Sequence, residues 1–152
     1  MPIRPYQPAD VPIMLEVIKT AFADQAKLNP PSSAVRKTMA LLEQELAAGG
    51  ALVTEFDQHV VACVLHQPRH DALYFHRLAV LPALHGRGIG RALINTVEQL
   101  ARTSGSARVE LSVRLELDQQ RRFYESLGYQ TIGYGSHADF DQPTYATMQK
   151  LV

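Results

Sequence analysis

Three glycines occupy alternate positions of the segment "HGRGIG", which lies between a strand-like and a helix-like stretch of the chain. They are Gly86, Gly88 and Gly90, and the basic side chains of Arg87 and Arg91 lie among and directly after them. Glycine allows positive φ angles and lets a ligand come close to backbone N–H groups. The first turn of a helix adds N–H groups without partners and the positive end of the helix dipole. The segment therefore predicts an anion-binding site, most naturally one for phosphate.

Two familiar phosphate-binding patterns do not fit this segment. The P-loop ends in Gly-Lys-Ser/Thr, whereas Gly90 is followed by Arg91 and Ala92. The dinucleotide-binding fingerprint needs a third glycine or alanine three positions after the second glycine. The two positions that this rule selects hold Arg91 and Leu93. The pattern that remains is Arg/Gln-x-x-Gly-x-Gly/Ala after a strand that ends in Leu-x-Val.

The segment "LAVLPALHGRGIGRAL" resembles the acyl-CoA pyrophosphate loop of the GNAT superfamily of N-acyltransferases. Leu78 and Val80 match the strand end, and Gly88 and Gly90 match the two glycines. His85 stands where Arg or Gln is usual in the family. Because the family's loop binds mainly through backbone N–H groups, the resemblance still implies an acyl-CoA site here. A glycine-rich helix start without a ligand is the structural alternative.

A second motif, "FYESLGY" at residues 123–129, resembles the family's helix-then-strand signature after the fifth strand. Tyr124 keeps the register of that motif. The usual Asn seven positions before the tyrosine is Leu117 here, and the usual Ala four positions before it is Gln120. These two departures concern the contacts that this segment would make with pantetheine or substrate.

The resemblance implies acetyl-CoA as the cofactor and transfer of its acetyl group to an amine by direct attack in a ternary complex, without a metal. Backbone groups near Leu78 and Val80 would pair with the pantetheine arm as if it were an extra strand. The loop amides would hold the pyrophosphate, and a backbone N–H at the splayed strand end would stabilise the oxyanion. The implied cofactor-binding residues are Leu78, Ala79, Val80, His85, Gly86, Arg87, Gly88, Ile89, Gly90 and Arg91.

The acceptor amine must lose a proton before it can attack. A lysine-like amine has a pKa of about 10.4, so freeing its lone pair at neutral pH costs about 4–5 kcal/mol. His76 is the candidate general base, because it precedes Leu78 on the same strand and the usual imidazole pKa of about 6.5 suits the task. The run "YFHRLAV" also resembles the serotonin N-acetyltransferase branch, in which a histidine at this offset relays protons. Tyr74 lies on the same strand face and can join the relay, whereas a strand histidine without a chemical role is the alternative for His76.

Tyr124 is the candidate general acid toward the departing CoA thiolate. The resemblance implies that its hydroxyl points at the sulfur. Since a thiol with a pKa near 8.5 is already a fair leaving group, the acid is expected to help without being indispensable. An aromatic packing residue next to Phe123 is the alternative interpretation.

Family substrates enter between the first two helices and the last two strands. In this chain those segments contain acidic residues that can attract an ammonium group and tyrosines that can line a cleft. The predicted substrate-binding residues are Tyr74, Tyr134, Asp139, Asp141 and Tyr145. A solvated polar turn is the alternative for the segment "GSHADFDQPTYATM".

The composition is typical of one domain over residues 1–152. Of the 152 residues, 46% are hydrophobic, and 15 basic side chains balance 15 acidic ones, so no global field favours nucleic acid or a membrane surface. Cys63 is the only cysteine, which excludes a disulfide framework, and its surroundings predict a small buried side chain. No His/Asp/Glu spacing indicates a metal site. Because we find neither a signal-peptide pattern nor a membrane span, the expected location is the cytoplasm.

Apolar periodicity predicts a strand, two helices, three strands, a helix, a strand, a helix and two strands, in the order β-α-α-β-β-β-α-β-α-β-β. The second helix is expected to begin at Ser32 or Ser33 and to end at Gly49-Gly50. Its expected apolar face is Val35, Met39, Leu42 and Leu46, and Asp10 and Asp118 are the expected caps of the first and last helices.

The consecutive strands favour antiparallel hairpins, and the passage over residues 72–115 favours one right-handed parallel crossover. The expected fold class is therefore α/β (α+β mixed). It is a GNAT-like fold with a mixed, twisted sheet of six to seven strands and helices on both faces.

Two functions from different classes are compatible with these motifs. The first is an N-acetyltransferase for a primary amine of a small molecule or of a peptide or protein, with no nucleic acid or membrane partner. The second is a non-catalytic acyl-CoA-binding sensor or assembly domain. Tyr124 and His76 favour the enzyme. The resemblance also allows a homodimer, on which the sequence gives no further information.

Overall fold

The computed structural model describes all residues from 1 to 152 and contains seven strands and four helices in the expected order. The strands are β1 (Ile3–Pro5), β2 (Gly50–Phe56), β3 (His59–Arg69), β4 (Ala72–Val80), β5 (Arg108–Arg114), β6 (Gln130–Gly135) and β7 (Tyr145–Leu151). The helices are α1 (Val11–Ala21), α2 (Met39–Ala47), α3 (Ile89–Thr103) and α4 (Asp118–Ser126). Short 3-10 turns fill part of the connections. None of the helices combines the length and the apolar character that a bilayer crossing requires.

All seven strands form one mixed sheet in the order β1-β2-β3-β4-β5-β7-β6. The neighbours are antiparallel except β4 and β5, which are parallel and are joined through α3. The predicted fold class and the predicted parallel crossover are therefore confirmed. Because β7 is inserted between β5 and β6, the last two strands reach the sheet from the opposite edge to β1.

β4 and β5 pair only at their amino-terminal ends. Three register pairs join them, at Ala72, Leu73 and Tyr74 of β4. Beyond Tyr74 the two strands part, while β5 remains paired with β7 along its whole length, from Arg108 to Arg114. The sheet therefore consists of two halves that meet at one end of β4 and are open at the other.

A β-bulge at Arg77 interrupts the alternation of side chains along β4. Arg77 has a φ of 54°, and β4 advances three residues from His76 to Ala79 while β3 advances two. An extra residue in one strand moves every later side chain to the other face. Phe75 and Leu78 consequently face the same core although an odd number of steps separates them.

The sheet separates two hydrophobic cores. One lies under α3 and α4 and includes Phe75, Leu93, Ile94, Val97, Leu111, Tyr129 and Met148. The other lies under α1 and α2 and includes Met14, Ile18, Leu42, Leu46, Val53 and Cys63. The prediction of helices on both faces is confirmed, and so is the burial of Cys63, which is 0% exposed.

The second helix begins later than the sequence indicated. Ser32 accepts a hydrogen bond from the Ala34 N–H at 3.3 Å, but it starts only a short 3-10 turn. α2 follows Thr38, whose hydroxyl accepts from the Leu41 N–H at 3.2 Å. Between the 3-10 turn and α2, the backbone of Lys37 is extended, with φ −67° and ψ 140°, and this interrupts the predicted helix.

The predicted apolar face of the second helix is only partly right. Leu42 and Leu46 are buried, whereas Met39 is 37% exposed and Val35 belongs to the preceding 3-10 turn. Gly50 is already part of β2, so the helix stops just before the two glycines, as expected.

The two aspartates predicted as helix caps make other contacts. The Asp10 carboxylate accepts hydrogen bonds from the Gln7 N–H at 2.7 Å and from Arg4 at 2.8 Å, and it does not cap α1. Asp118 is the first residue of α4 and pairs with Arg121 at 2.6 Å. In both cases a nearby arginine competes successfully for the carboxylate that would otherwise bond the helix amides.

The packing of α3 can be tested at Leu93. This side chain is fully buried between α3 and the sheet, so Leu93→Ala leaves a cavity and should lower the free energy of unfolding by about 2–5 kcal/mol. Leu41→Ala on α2 is the matched control, because Leu41 is 46% exposed and its loss should change stability by no more than about 0.5 kcal/mol. Urea denaturation measures both. Equal losses in the two variants would contradict the described packing of α3.

Candidate active site

A cleft of about 1140 Å³ lies where β4 and β5 part. On one side it is lined by the glycine loop, the start of α3 and α4. On the other it reaches Phe22 at the end of α1 and Ser32 and Ser33 in the following segment. Because no strand fills the gap between β4 and β5, one continuous space joins the two faces of the sheet.

The glycine loop forms an open cradle at one end of this cleft. Gly86 and Gly88 have φ angles of 79° and 78°, and a Cβ added to either would meet nothing within 4 Å. α3 begins directly after Gly88, whose carbonyl accepts from the Ala92 N–H at 3.0 Å. The N–H groups of the first turn therefore have no partner within the helix, and the residues that carry them, Ile89 to Arg91, line the cleft. The free space and the free donors together fit an anion such as a pyrophosphate.

The predicted cofactor-binding residues do not all reach the cleft. Those that line it are Leu78, Val80, His85, Gly86, Gly88, Ile89, Gly90 and Arg91. Ala79 packs instead into the core under α1 and α2, and Arg87 does not line the cleft. The alternation of β4 after the bulge explains Ala79, because it puts that side chain on the opposite face from Leu78 and Val80.

The backbone edge of β4 is available in the gap. The Leu81 N–H donates to the Val61 carbonyl of β3 at 3.0 Å. Because backbone groups alternate in direction along a strand, those of Leu78 and Val80 point the other way, toward the missing neighbour. The His85 ring donates its Nε2–H to the Val80 carbonyl at 2.9 Å, so this histidine fixes the loop to the strand end.

Tyr124 lies on α4, where its side chain belongs to the core under α3 and α4 and also lines the cleft. It is 9% exposed and makes edge contacts with Phe75 and Tyr129, with ring centroids 6.1 and 6.2 Å away. Burial raises the pKa of the Tyr124 hydroxyl above its usual value. The phenol is therefore protonated at neutral pH, the state that a general acid needs.

His76 lies on the α1 and α2 face of the parted strand. Its ring stacks on Tyr74 with centroids 5.5 Å apart and planes inclined by 27°, as their positions on one strand face predicted. Nδ1 is 3.7 Å from a carboxylate oxygen of Glu45, and Nε2 is buried without a hydrogen-bond partner.

The pKa of His76 differs from the value that the sequence suggested. Burial lowers it to about 4, the Glu45 carboxylate opposes this shift, and the nearby Arg77, Lys37 and Arg69 lower the pKa further. At neutral pH the ring is thus an uncharged hydrogen-bond acceptor. Complete proton transfer to it from an amine of pKa about 10.4 would be uphill by about 9 kcal/mol, so the expected match of pKa to task is not present in the free protein.

A charged cluster that the motifs did not indicate surrounds this histidine. Glu45 on α2 pairs with the buried Lys37, and it also lies 3.6 Å from Nη2 of Arg77. Burial lowers the pKa of the Lys37 ammonium. Arg77 additionally donates to the Ser33 hydroxyl at 2.5 Å. The cluster holds the segment before α2 against the bulge of β4.

The predicted substrate-binding residues separate into two groups. Tyr74 and Tyr145 line the cleft. Tyr134 is 66% exposed on β6, and Asp139 and Asp141 lie in the exposed turn between β6 and β7, outside the cleft.

Comparison with known proteins decides the family. A family model described as "Acetyltransferase (GNAT) family" matches residues 18–129 of this chain. The chain belongs to the GNAT acetyltransferase family. The matched segment runs from within α1 to Tyr129, three residues after the end of α4, so it includes the glycine loop, the parted strands and Tyr124.

Solved structures share the fold of this GNAT chain over nearly its whole length. The PaiA N-acetyltransferase from Thermoplasma acidophilum, solved in complex with coenzyme A, has a TM-score of 0.82 at 16% identity and covers 100% of both chains. Ard1 from Thermoplasma volcanium has a TM-score of 0.81 at 21% identity, with 99% of this chain and 97% of that chain covered. The ribosomal-protein-S18-alanine N-acetyltransferase from Escherichia coli has a TM-score of 0.76 at 20% identity, with 99% and 92% covered.

Burial of the neutral His76 ring predicts a pH-dependent stability of the GNAT domain. The folded pKa of about 4 is below the ordinary 6.5, so the unfolded chain binds more protons between these values. The low pKa of His76 therefore contributes about 3 kcal/mol to the free energy of unfolding above pH 6.5. This contribution is lost as the pH falls toward 4. Urea denaturation between pH 4 and 7.5 should show His76→Gln with a shallower pH dependence, while His59→Gln, at an exposed histidine, keeps that of the parent. An unchanged slope in His76→Gln would mean that His76 titrates normally.

Proposed function

We propose that the protein is an N-acetyltransferase that passes the acetyl group of acetyl-CoA directly to a primary amine. The observation that carries this proposal is the continuous cleft through the sheet. It extends from the glycine cradle on the α3 face, through the gap between β4 and β5, to His76 on the α1 and α2 face. A donor on one face and an acceptor on the other can meet in that gap without a covalent enzyme intermediate.

The residues of the cradle and of the β4 edge fit acetyl-CoA, which supplies the acetyl group as a thioester. The free N–H groups at the start of α3 would hold its pyrophosphate, and Arg91 on the cleft wall adds positive charge. The N–H groups of Leu78 and Val80 would hydrogen-bond to its extended arm, as an added strand does. A backbone N–H in the gap can also stabilise negative charge on a carbonyl oxygen there.

A cysteine-linked acyl intermediate does not suit this chain. Cys63 is the only cysteine, and it is 0% exposed in the core under α1 and α2. Burial raises the pKa of its thiol to about 12, so the thiolate that such chemistry needs is not formed at neutral pH. Direct attack by the amine is the route that the remaining side chains support.

Two side chains on opposite sides of the gap handle protons in the proposed reaction. Tyr124 carries a proton at neutral pH and would give it to the departing thiolate, and water would return a proton to the phenolate. His76, uncharged at neutral pH and on the cleft wall, would contact the amine and orient its lone pair, with Nε2 becoming a hydrogen-bond acceptor if the ring turns toward the cleft. The cations near His76 disfavour an ammonium there, so they assist release of the amine's proton to water.

The cradle can be tested with a matched pair of glycine substitutions. Gly88 and Gly105 both have left-handed φ angles, 78° and 80°, and neither has an atom within 4 Å of an added Cβ. Gly88→Asp puts a carboxylate into the cradle, so affinity for acetyl-CoA and for CoA should both fall by at least about tenfold. Gly105→Asp carries the same backbone strain beyond the other end of α3 and should bind as the parent does. Calorimetry measures both, and equal affinities in the two variants would remove the loop from the site.

The catalytic assignment can be tested by thiol release from acetyl-CoA with a panel of primary amines. The enzyme should release free CoA only when an acceptor is present. Tyr124→Phe keeps the ring and loses the hydroxyl, so kcat should fall on the order of 10²-fold while acetyl-CoA affinity stays close to that of the parent. Binding of acetyl-CoA without turnover of any amine would favour a sensor or assembly domain. A fully active Tyr124→Phe protein would leave Tyr124 as a packing residue.

A further inference from the structure

The charges on the cleft wall are of one sign. Its ionisable side chains include four arginines and three histidines, and no aspartate or glutamate lines it. The chain as a whole is neutral, with 15 basic and 15 acidic residues, so this imbalance is local to the cleft. Arg91 lies beside the glycine cradle, where a pyrophosphate explains it. Arg69, Arg77 and Arg114 come from β3, β4 and β5, away from that cradle, and need another explanation.

Of these three arginines, Arg69 is the one whose guanidinium has no ion pair. It lies at the end of β3, and its guanidinium carbon is 3.7 Å from the centroid of the Tyr74 ring. No carboxylate lies within ion-pair distance of it. Stacking on a tyrosine fixes the plane of a guanidinium and leaves the N–H groups on its edge free for a planar anion.

The other two arginines share carboxylates and still have unused donors. Arg77 shares Glu45 with Lys37 and His76, and Arg114 lies 3.4 Å from Glu116. The Nε atoms of Arg77 and Arg114 are both buried without a hydrogen-bond partner. Because Lys37 and Arg77 share the single carboxylate of Glu45, positive charge is in excess beside the stacked rings of Tyr74 and His76.

We propose that the acceptor carries a carboxylate within a few bonds of its amino group, as a free amino acid does, and that Arg69 binds this carboxylate. The proposal rests on the acetyltransferase function proposed above. The amine would lie against His76 and the carboxylate would extend along the face of Tyr74 to the Arg69 guanidinium. Arg69 and His76 both stack on the Tyr74 ring, so the two substrate groups are held by one group of stacked side chains.

The same charges disfavour two other classes of amine. A polycationic acceptor, such as a polyamine or an aminoglycoside, would bring several ammonium groups to a wall without carboxylates. A peptide amino terminus has an amide where a free amino acid has its carboxylate, so it would leave the Arg69 guanidinium unpaired. Both classes are therefore expected to be poorer acceptors than a free amino acid with the same side chain.

The test compares free L-amino acids with their α-carboxamides, for example L-methionine with L-methioninamide and L-phenylalanine with L-phenylalaninamide. We expect kcat/KM for thiol release to be about 10- to 100-fold higher for the acid of the productive pair. Removal of the carboxylate lowers the pKa of the neighbouring amine, so the amide holds more unprotonated amine at neutral pH. A preference for the acid is therefore opposed by amine ionisation and must come from binding of the carboxylate.

Arg69 variants connect this preference to the proposed contact. Arg69→Gln should reduce the acid-to-amide ratio to about one, and Arg69→Lys should keep part of it, because the charge remains while the planar fork is lost. Arg122→Gln, an exposed position on α4 outside the cleft, is the control and should keep the ratio of the parent. A ratio near one in the parent, a preference for spermidine, or a ratio unaffected by Arg69→Gln would overturn the proposal.

Calorimetry of the CoA-saturated protein separates failure of this inference from failure of the proposed function. If no amine releases thiol but the acid still binds more tightly than its amide, the acetyltransferase function fails and the carboxylate site stands. If amides and amines without a carboxylate are acetylated with the same kcat/KM as the acids, the acetyltransferase function stands and the carboxylate site fails. Absence of both turnover and preferential acid binding would overturn the inference.

Discussion

The separation of β4 from β5 after Tyr74 is the constraint on which the rest of the structure depends. β5 stays paired with β7 along its other edge, so the β4 edge and the facing β5 edge both lack a strand partner in the gap. A strand edge without a neighbour is normally covered or charged, because it invites pairing with another chain. Here the unpaired edges lie inside the sheet, between two packed cores, and line the cleft. The site is therefore a property of the sheet's topology before it is a property of any side chain.

The elements of the fold were accessible from the sequence because each one carries its own periodicity. α3 shows Ile89, Leu93 and Val97 at helical spacing, and all three are buried as expected. The glycine loop was accessible because its two positive-φ glycines and the helix behind them form a local unit of a few residues. The same holds for the stack of Tyr74 and His76, which regular alternation along one strand places together. In these cases the determining contacts lie within one element, and the residues alone predicted the structure.

The charged cluster beside His76 could not be read in this way, since it depends on two breaks in local regularity. Regular alternation would place Arg77 on the opposite face from His76, but the bulge, with φ 54° at Arg77, directs that arginine toward Glu45. In a continuous helix from Ser32, Lys37 would lie off the predicted apolar face. The extended backbone at Lys37 instead buries its side chain against the Glu45 carboxylate. Both breaks bring a cation to Glu45, a long-range contact that local periodicity does not encode. The predicted acidic substrate residues, Asp139 and Asp141, failed to reach the cleft for the converse reason, that a loop's direction is not encoded in its composition.

The positive surroundings of His76 give the proposed acceptor a part in its own activation. In the free protein, burial and three nearby cations hold the His76 pKa near 4, with only Glu45 opposing them. A carboxylate bound to Arg69 would neutralise one of those cations and add a negative charge on the same side of the ring, so the pKa of His76 must rise in the complex. An amine without a carboxylate would enclose the ring further and supply no such compensation, leaving the imidazole as weak a base as before. The rise is limited, because burial is the largest cause of the low His76 pKa and Arg69 is the smallest, so the carboxylate lowers the electrostatic cost at the ring while His76 stays a hydrogen-bond acceptor and the amine's proton goes to water.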